Sequence, residues 1–185
     1  MSTQSATKRN VYTYEDYLGF PDNMRCEIIN GEIHDMTLSP TSRHQRVSGE
    51  IYRLIGNYLR DQNHPCQVFH APLDVVLARD QVVQPDVFVV CDTGIVKQWV
   101  FGTPDVIFEI ASPSTTLKDR REKMHLYERF GVKEYFLVDP EAEFIEKFVL
   151  HDAKYNGRVG IYAGDDTFLI DTIGLAVRAK ELFTF

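Results

Sequence analysis

Cysteine is scarce in this chain, and the three present, Cys26, Cys66 and Cys91, lie far apart in apolar sequence with no Cys-x-x-Cys pair. Their odd number and wide spacing argue against a disulfide framework or a zinc site and predict three buried free thiols. Long hydrophobic runs are missing too. No stretch approaches the roughly 20 apolar residues of a membrane span, and the polar start Met1 to Asn10 lacks the apolar core of a secretory signal. Both absences predict a cytoplasmic protein. Positive charge is in deficit, with 20 Lys and Arg against 27 Asp and Glu and a formal net charge of −7. That balance argues against a non-specific nucleic-acid coat, because binding to phosphates is driven largely by Lys and Arg. There is one tryptophan, Trp99, no internal repeat and no low-complexity tract.

What is present suffices for one globular unit. With 185 residues, 44% of them hydrophobic, the chain can bury roughly 70% of the surface that its unfolded form exposes. Residues 1–10 read as a disordered leader and residues 11–185 as a single domain. Thr13 caps a short helix, and Asn30-Gly31 between two short β-like runs is a strong hairpin signal. Glu27 lies inside the first run, either as an edge carboxylate or as part of a site. Ser39-Pro40-Thr41-Ser42 opens a helix whose apolar positions Val47, Ile51, Leu54, Ile55 and Tyr58 follow helical spacing to about Arg60. His44 begins that inward stripe, as a hydrogen-bonded structural residue or as a phosphate contact. Two β-like pieces follow, broken at Pro72 with Asp74 between them, and then the run Gln81 to Val90, bent at Pro85. The linker from Cys91 to Thr103 is a loop or a short helix. Beyond Asp139-Pro140 four pieces read as antiparallel strands.

The chemistry concentrates between Pro104 and Tyr127. Val106 to Ala111 is apolar except at Glu109, so an interior strand carries a carboxylate, which is costly unless a cation or hydrogen-bond donor meets it. After Ser112-Pro113-Ser114, Thr116 with Asp119 matches a helix start signal, and Asp119, Lys123 and Tyr127 share one helical face. A strand follows Gly131, so strand, helix and strand predict a right-handed parallel βαβ unit. Lys118, Arg120, Arg121 and Lys123 form a local basic cluster, as a solvated helix face or as a phosphate contact. Asp86 directly precedes another apolar run, as a turn cap or as a site acid. Two acids converging at a sheet edge favour a shared proton or a divalent cation, and oxygen ligands without His or Cys pairs point to Mg²⁺ or Mn²⁺.

Pro85-Asp86 followed by Glu109-x-Ala111 resembles the PD-(D/E)xK nuclease signature. More specifically, Glu27 with Asn30-Gly31-Glu32, Ser39-Pro40 with His44, Pro85-Asp86-Val87, Glu109 to Thr115, Asp119 with Lys123, Tyr127, Gly131-Val132 and Val138-Asp139-Pro140 resemble, in order, the Uma-two family of restriction-endonuclease-like proteins. The resemblance implies an α/β fold with a restriction-endonuclease-like core, a mixed β-sheet flanked by helices, an N-terminal hairpin and C-terminal antiparallel strands. It also implies Mg²⁺-dependent cleavage of DNA and self-association as a homodimer or larger homo-oligomer. Carried over by position, Asp86 and Glu109 become metal ligands and Glu27 an accessory acid. Ala111 stands where the wider pattern has lysine, which makes Lys123 the substitute; His44, Lys118, Arg120 and Arg121 are the expected substrate contacts. The rival expectation is an inactive nuclease-shaped module that binds nucleic acid or a protein partner.

Overall fold

Asn30 and Gly31 both take positive φ, 53° and 72°, the backbone that a two-residue hairpin turn requires. They join β1 (Cys26–Ile29) to β2 (Glu32–Asp35) in antiparallel register, with Ile28 opposite Ile33. The structure, a computed structural model, describes residues 11–21, 23–36, 39–112 and 117–185, the side chains of residues 117–120 excepted. The expected leader and the Thr116 and Asp119 start signal lie outside the described residues.

Two sheets carry the fold. The first adds β4 (Val75–Ala78), β5 (Gln81–Val83) and the two-residue β7 (Val100–Phe101), in the order β2-β1-β5-β4-β7. The second is built from β3 (Gln67–His70), β6 (Val87–Val90), β8 (Val106–Ile110), β9 (Glu134–Asp139), β10 (Phe144–His151) and β11 (Lys154–Ala163). Its order is β11-β10-β9-β8-β6-β3, and a hairpin of β12 (Thr167–Ile170) and β13 (Leu175–Arg178) packs beside it. The predicted βαβ unit is there, with β8 and β9 parallel and α3 (Leu117–Phe130) between them in sequence.

Alternation along the strands divides the core. Val106, Phe108 and Ile110 face a cluster that includes Val47, Ile51 and Ile55 of α2 (Ser42–Asp61), whereas Ile107 faces a second cluster with Phe88, Leu126, Tyr127 and Ile29. A third, smaller cluster lies on the far side of the first sheet, where Ile28, Val76 and Val82 are covered by Tyr12, Tyr14, Tyr17 and Phe20 of the segment around α1 (Tyr14–Tyr17). Thr41 caps α2 by accepting from the His44 N–H at 3.1 Å.

The bend expected at Pro85 is present, and the expectation of three free thiols is overturned. The run Gln81 to Val90 divides between the sheets, because Pro85 has no N–H to give to either ladder and the chain crosses over at Gln84-Pro85. Cys66 and Cys91 are bonded as a disulfide, and only Cys26 is a buried free thiol. Cys66 precedes β3 and Cys91 follows β6, and the pairing of Gln67 with Val90 brings them opposite each other with Cα atoms 4.0 Å apart. Spacing in sequence does not reveal that register.

Candidate active site

Strand parity alone puts three acids on one side of the fold. Glu109 stands two residues from Ile107 and therefore shares its face toward the second core cluster; Glu27, two residues from Ile29, faces it from the other sheet. The antiparallel register that sets Val87 against Phe108 and Phe88 against Ile107 continues, one residue earlier, to set Asp86 opposite Glu109. Helix α3 lies over this side, with Leu126 and Tyr127 buried in the same cluster, so Lys123, one turn before Tyr127, arrives beside the acids.

The contacts follow. Lys123 Nζ lies 2.9 Å from Glu27 Oε1 and 3.1 Å from Glu109 Oε1, and the side chains are only 17%, 5% and 13% exposed. Tyr127 donates its hydroxyl to the same Glu109 oxygen at 2.5 Å. The Gln84 N–H donates to Glu27 Oε1 at 2.9 Å. Asp86 Oδ2 accepts from the Ile110 N–H at 2.7 Å, and His44 Nε2 lies 3.2 Å from it. His44 reaches Asp86 from the first turn of α2, the helix whose Val47, Ile51 and Ile55 pack in the first core cluster. Its Nδ1 is buried without a hydrogen-bond partner.

The electrostatics are unbalanced. Glu27, Asp86 and Glu109 bring three carboxylates to a buried site in which Lys123 is the one ammonium among the contacts described. Burial first, then the charges of Asp86 and Glu27, push the Glu109 carboxyl up to about 7 against the pull of Lys123. Burial alone would lower Lys123, but Glu109 and Glu27 overcome it and hold the ammonium well above its ordinary value. Tyr127 is raised by burial and then by Glu109, so its hydroxyl stays a donor. At His44 burial pulls down, and the hydrogen bond and charge of Asp86 more than offset it.

Asp86, Glu109, Lys123 and Glu27 are thus brought together, with His44 joined through Asp86. Arg121 is exposed on α3, and the side chains of Lys118 and Arg120 lie outside the described residues. Ala111, at the expected lysine position, is 5% exposed and its N–H donates to the Val138 carbonyl at 2.7 Å; Lys123 brings a cation to Glu109 from the helix instead. The sequence reading passed over Tyr127 as a site residue, although it sits four positions after Lys123 on the same face. Gln84 was missed outright, since its link to Glu27 runs through the main chain, which no side-chain pattern shows.

The donor set fits a hard divalent cation. Mg²⁺ is commonly held by one or two carboxylates and several waters, and the acids opposite each other in register are in excess over the lysine. Among the described residues no group of three or more His, Cys, Asp or Glu is arranged to hold a metal, and the residues that could contribute oxygen ligands here are Asp86 and Glu109.

Comparison with known proteins bears on the fold and the family. A crystal structure of a putative nuclease belonging to DUF820 from Anabaena variabilis ATCC 29413 superposes with a TM-score of 0.76 at 19% identity, covering 92% of this chain and 97% of that one. That likeness shows the fold. An uncharacterized protein, slr1290, of Synechocystis sp. (strain ATCC 27184 / PCC 6803 / Kazusa) is 28% identical over 174 residues, 91% of this chain and 90% of its own length. The family model for Uma2, described as "Putative restriction endonuclease", matches residues 11–178, and the chain belongs to that family.

Proposed function

We propose that the protein is a Mg²⁺- or Mn²⁺-dependent endonuclease that hydrolyses DNA phosphodiester bonds. The family points to a nuclease-type activity, and one observation carries the finer reading: Lys123 bridges Glu27 and Glu109 at 2.9 and 3.1 Å, and Asp86 immediately precedes the strand that pairs with the strand of Glu109. Asp86 and Glu109 would hold the divalent cation, which would supply an acidified water and charge for a phosphate oxygen. Asp86 is kept in place by His44 and the Ile110 N–H. Lys123 stands ready, in a water-poor setting, to donate to a phosphate oxygen as negative charge develops, with Glu27 holding its ammonium at 2.9 Å. Tyr127 orients Glu109 through one oxygen. Lys118, Arg120 and Arg121 are assigned to the flanking DNA backbone, and the protein to a homodimer or larger homo-oligomer.

The assay is nicking of supercoiled plasmid with Mg²⁺, Mn²⁺ or chelator. Product should need the cation and fall roughly a hundredfold or more in Asp86→Ala, Glu109→Gln and Lys123→Ala. Equal nicking by the parent and Asp86→Ala preparations rules the reading out. The second reading, a nuclease-shaped binding module, draws on the lack of a three-residue metal group among the described residues. It predicts DNA or partner binding that is the same with and without chelator and unchanged in the three variants.

A further inference from the structure

A second buried acid, outside the set above, is wired to it. Asp74 is 7% exposed, and its Oδ1 accepts the Tyr17 hydroxyl at 3.0 Å and Gln84 Nε2 at 2.7 Å. Gln84 is the hinge of the arrangement. Its side chain is held by Asp74, its N–H is given to Glu27 Oε1 at 2.9 Å, and that oxygen also takes Lys123 Nζ at 2.9 Å. From Lys123 the chain of contacts continues to Glu109 and Tyr127. A continuous polar path therefore runs from Tyr17, on the segment that covers the outer face of the first sheet, to Tyr127 on α3.

Gln84 also occupies the residue where the chain leaves β5 and, after Pro85, delivers Asp86 to the second sheet. Its orientation thus bears on Glu27 through the main chain and on Asp86 through the next two peptide links. The amide does not lie this way for its own satisfaction, since Gln84 Oε1 is buried without a partner. The donor end, bound to Asp74, fixes it. A buried acid is costly in a packed interior where an apolar residue of similar size would serve, so Asp74 calls for a role beyond packing. Burial and the Asp74 charge raise Tyr17, which keeps its hydroxyl protonated as a donor.

We propose that Asp74, with Tyr17 and Gln84, is a positioning group for the site: it holds the Gln84 crossing so that Glu27, and through it Lys123, stands in register with Asp86 and Glu109. The catalytic consequence rests on the hydrolytic reading above; the positioning itself does not. None of the three residues touches the reacting atoms in this scheme.

The test separates those two claims. The ammonium resonance of Lys123, assigned by its loss in Lys123→Met, is followed by NMR of ¹⁵N-lysine-labelled protein, alongside plasmid nicking with Mg²⁺. Gln84→Met keeps the main-chain N–H and removes only the amide; it should fold, shift the Lys123 resonance and speed its exchange with water. Its kcat should fall about tenfold, the rate equivalent of one lost buried hydrogen bond, at unchanged KM. Asp74→Asn retains an acceptor oxygen and should leave the resonance close to that of the parent. Tyr17→Phe should move it in the same direction by less, and decides the matter should Gln84→Met not fold. A Lys123 resonance identical to the parent in Gln84→Met and Tyr17→Phe overturns the proposal. A shifted resonance in a protein that cuts no DNA leaves the positioning intact and defeats the hydrolytic reading.

Discussion

At Glu109 the competition between burial and charge has a thermodynamic signature. Burial, with the charges of Asp86 and Glu27, pushes its carboxyl up to about 7 in the folded protein against about 4.3 in an unfolded chain. The folded state therefore binds the extra proton between those values, and stability falls as pH rises from about 4.5 to 7. His44, also raised, acts in the same direction: its contribution is present below its unfolded pKa and is lost as pH climbs through the folded one. Glu109→Gln should therefore flatten the dependence of unfolding free energy on pH, with a parent-minus-variant change on the order of 1–3 kcal/mol between pH 5 and 8. Denaturant titrations at several pH values measure it, and parallel curves for the two proteins contradict the assignment. Most of the residues involved were legible beforehand, because acids interrupting apolar runs at Glu27, Asp86 and Glu109 stand out in any sequence. Tyr127 and Gln84 did not, since a tyrosine on a helix face reads as core and a main-chain donor leaves no trace in residue type.

At the scale of elements, caps and buried ion pairs hold the pieces in place. Thr41 closes the first turn of α2 by accepting from the His44 N–H, so Thr41→Ala should cost about 1 kcal/mol and loosen His44 at the same time. Chemical denaturation gives the first effect and the nicking assay the second. On the other core, Lys147 of β10 is 3% exposed and reaches Glu134 Oε2 at 2.9 Å, the Leu169 carbonyl at 2.6 Å and the Asp171 carboxylate. Glu134 accepts from the Asp171 and Thr172 N–H groups at 2.9 and 2.6 Å. This network ties the turn after β12 to the central strands. Lys147→Met leaves Glu134 buried without its cation and should destabilise the fold by about 3 kcal/mol, releasing the β12 and β13 hairpin first in hydrogen exchange. Uniform loss of protection across the whole chain argues against that local role.

Across the whole molecule, a disulfide fastens the edge strand β3 to β6, the strand that begins one residue after Asp86. The bridged residues are 25 apart, so opening the bond should lower stability by about 2–4 kcal/mol through the freed unfolded chain. Intact-mass measurement with and without reductant should find the native protein lighter by two hydrogens, and thermal melts of Cys66→Ser with Cys91→Ser give the size of the effect. Equal masses under both conditions exclude the bond. The sequence by itself determined the helices, the caps at Thr13 and at the start of α2, the Asn30-Gly31 hairpin, the βαβ unit and the type of acid at each interruption, because those depend on short-range periodicity and turn chemistry. Only the tertiary structure decided that Gln81 to Val90 serves two sheets, that Cys66 meets Cys91, and that Lys123 stands between Glu27 and Glu109. Those outcomes rest on strand order and register, which arise from packing between segments far apart in the chain and have no local signature in the residues themselves.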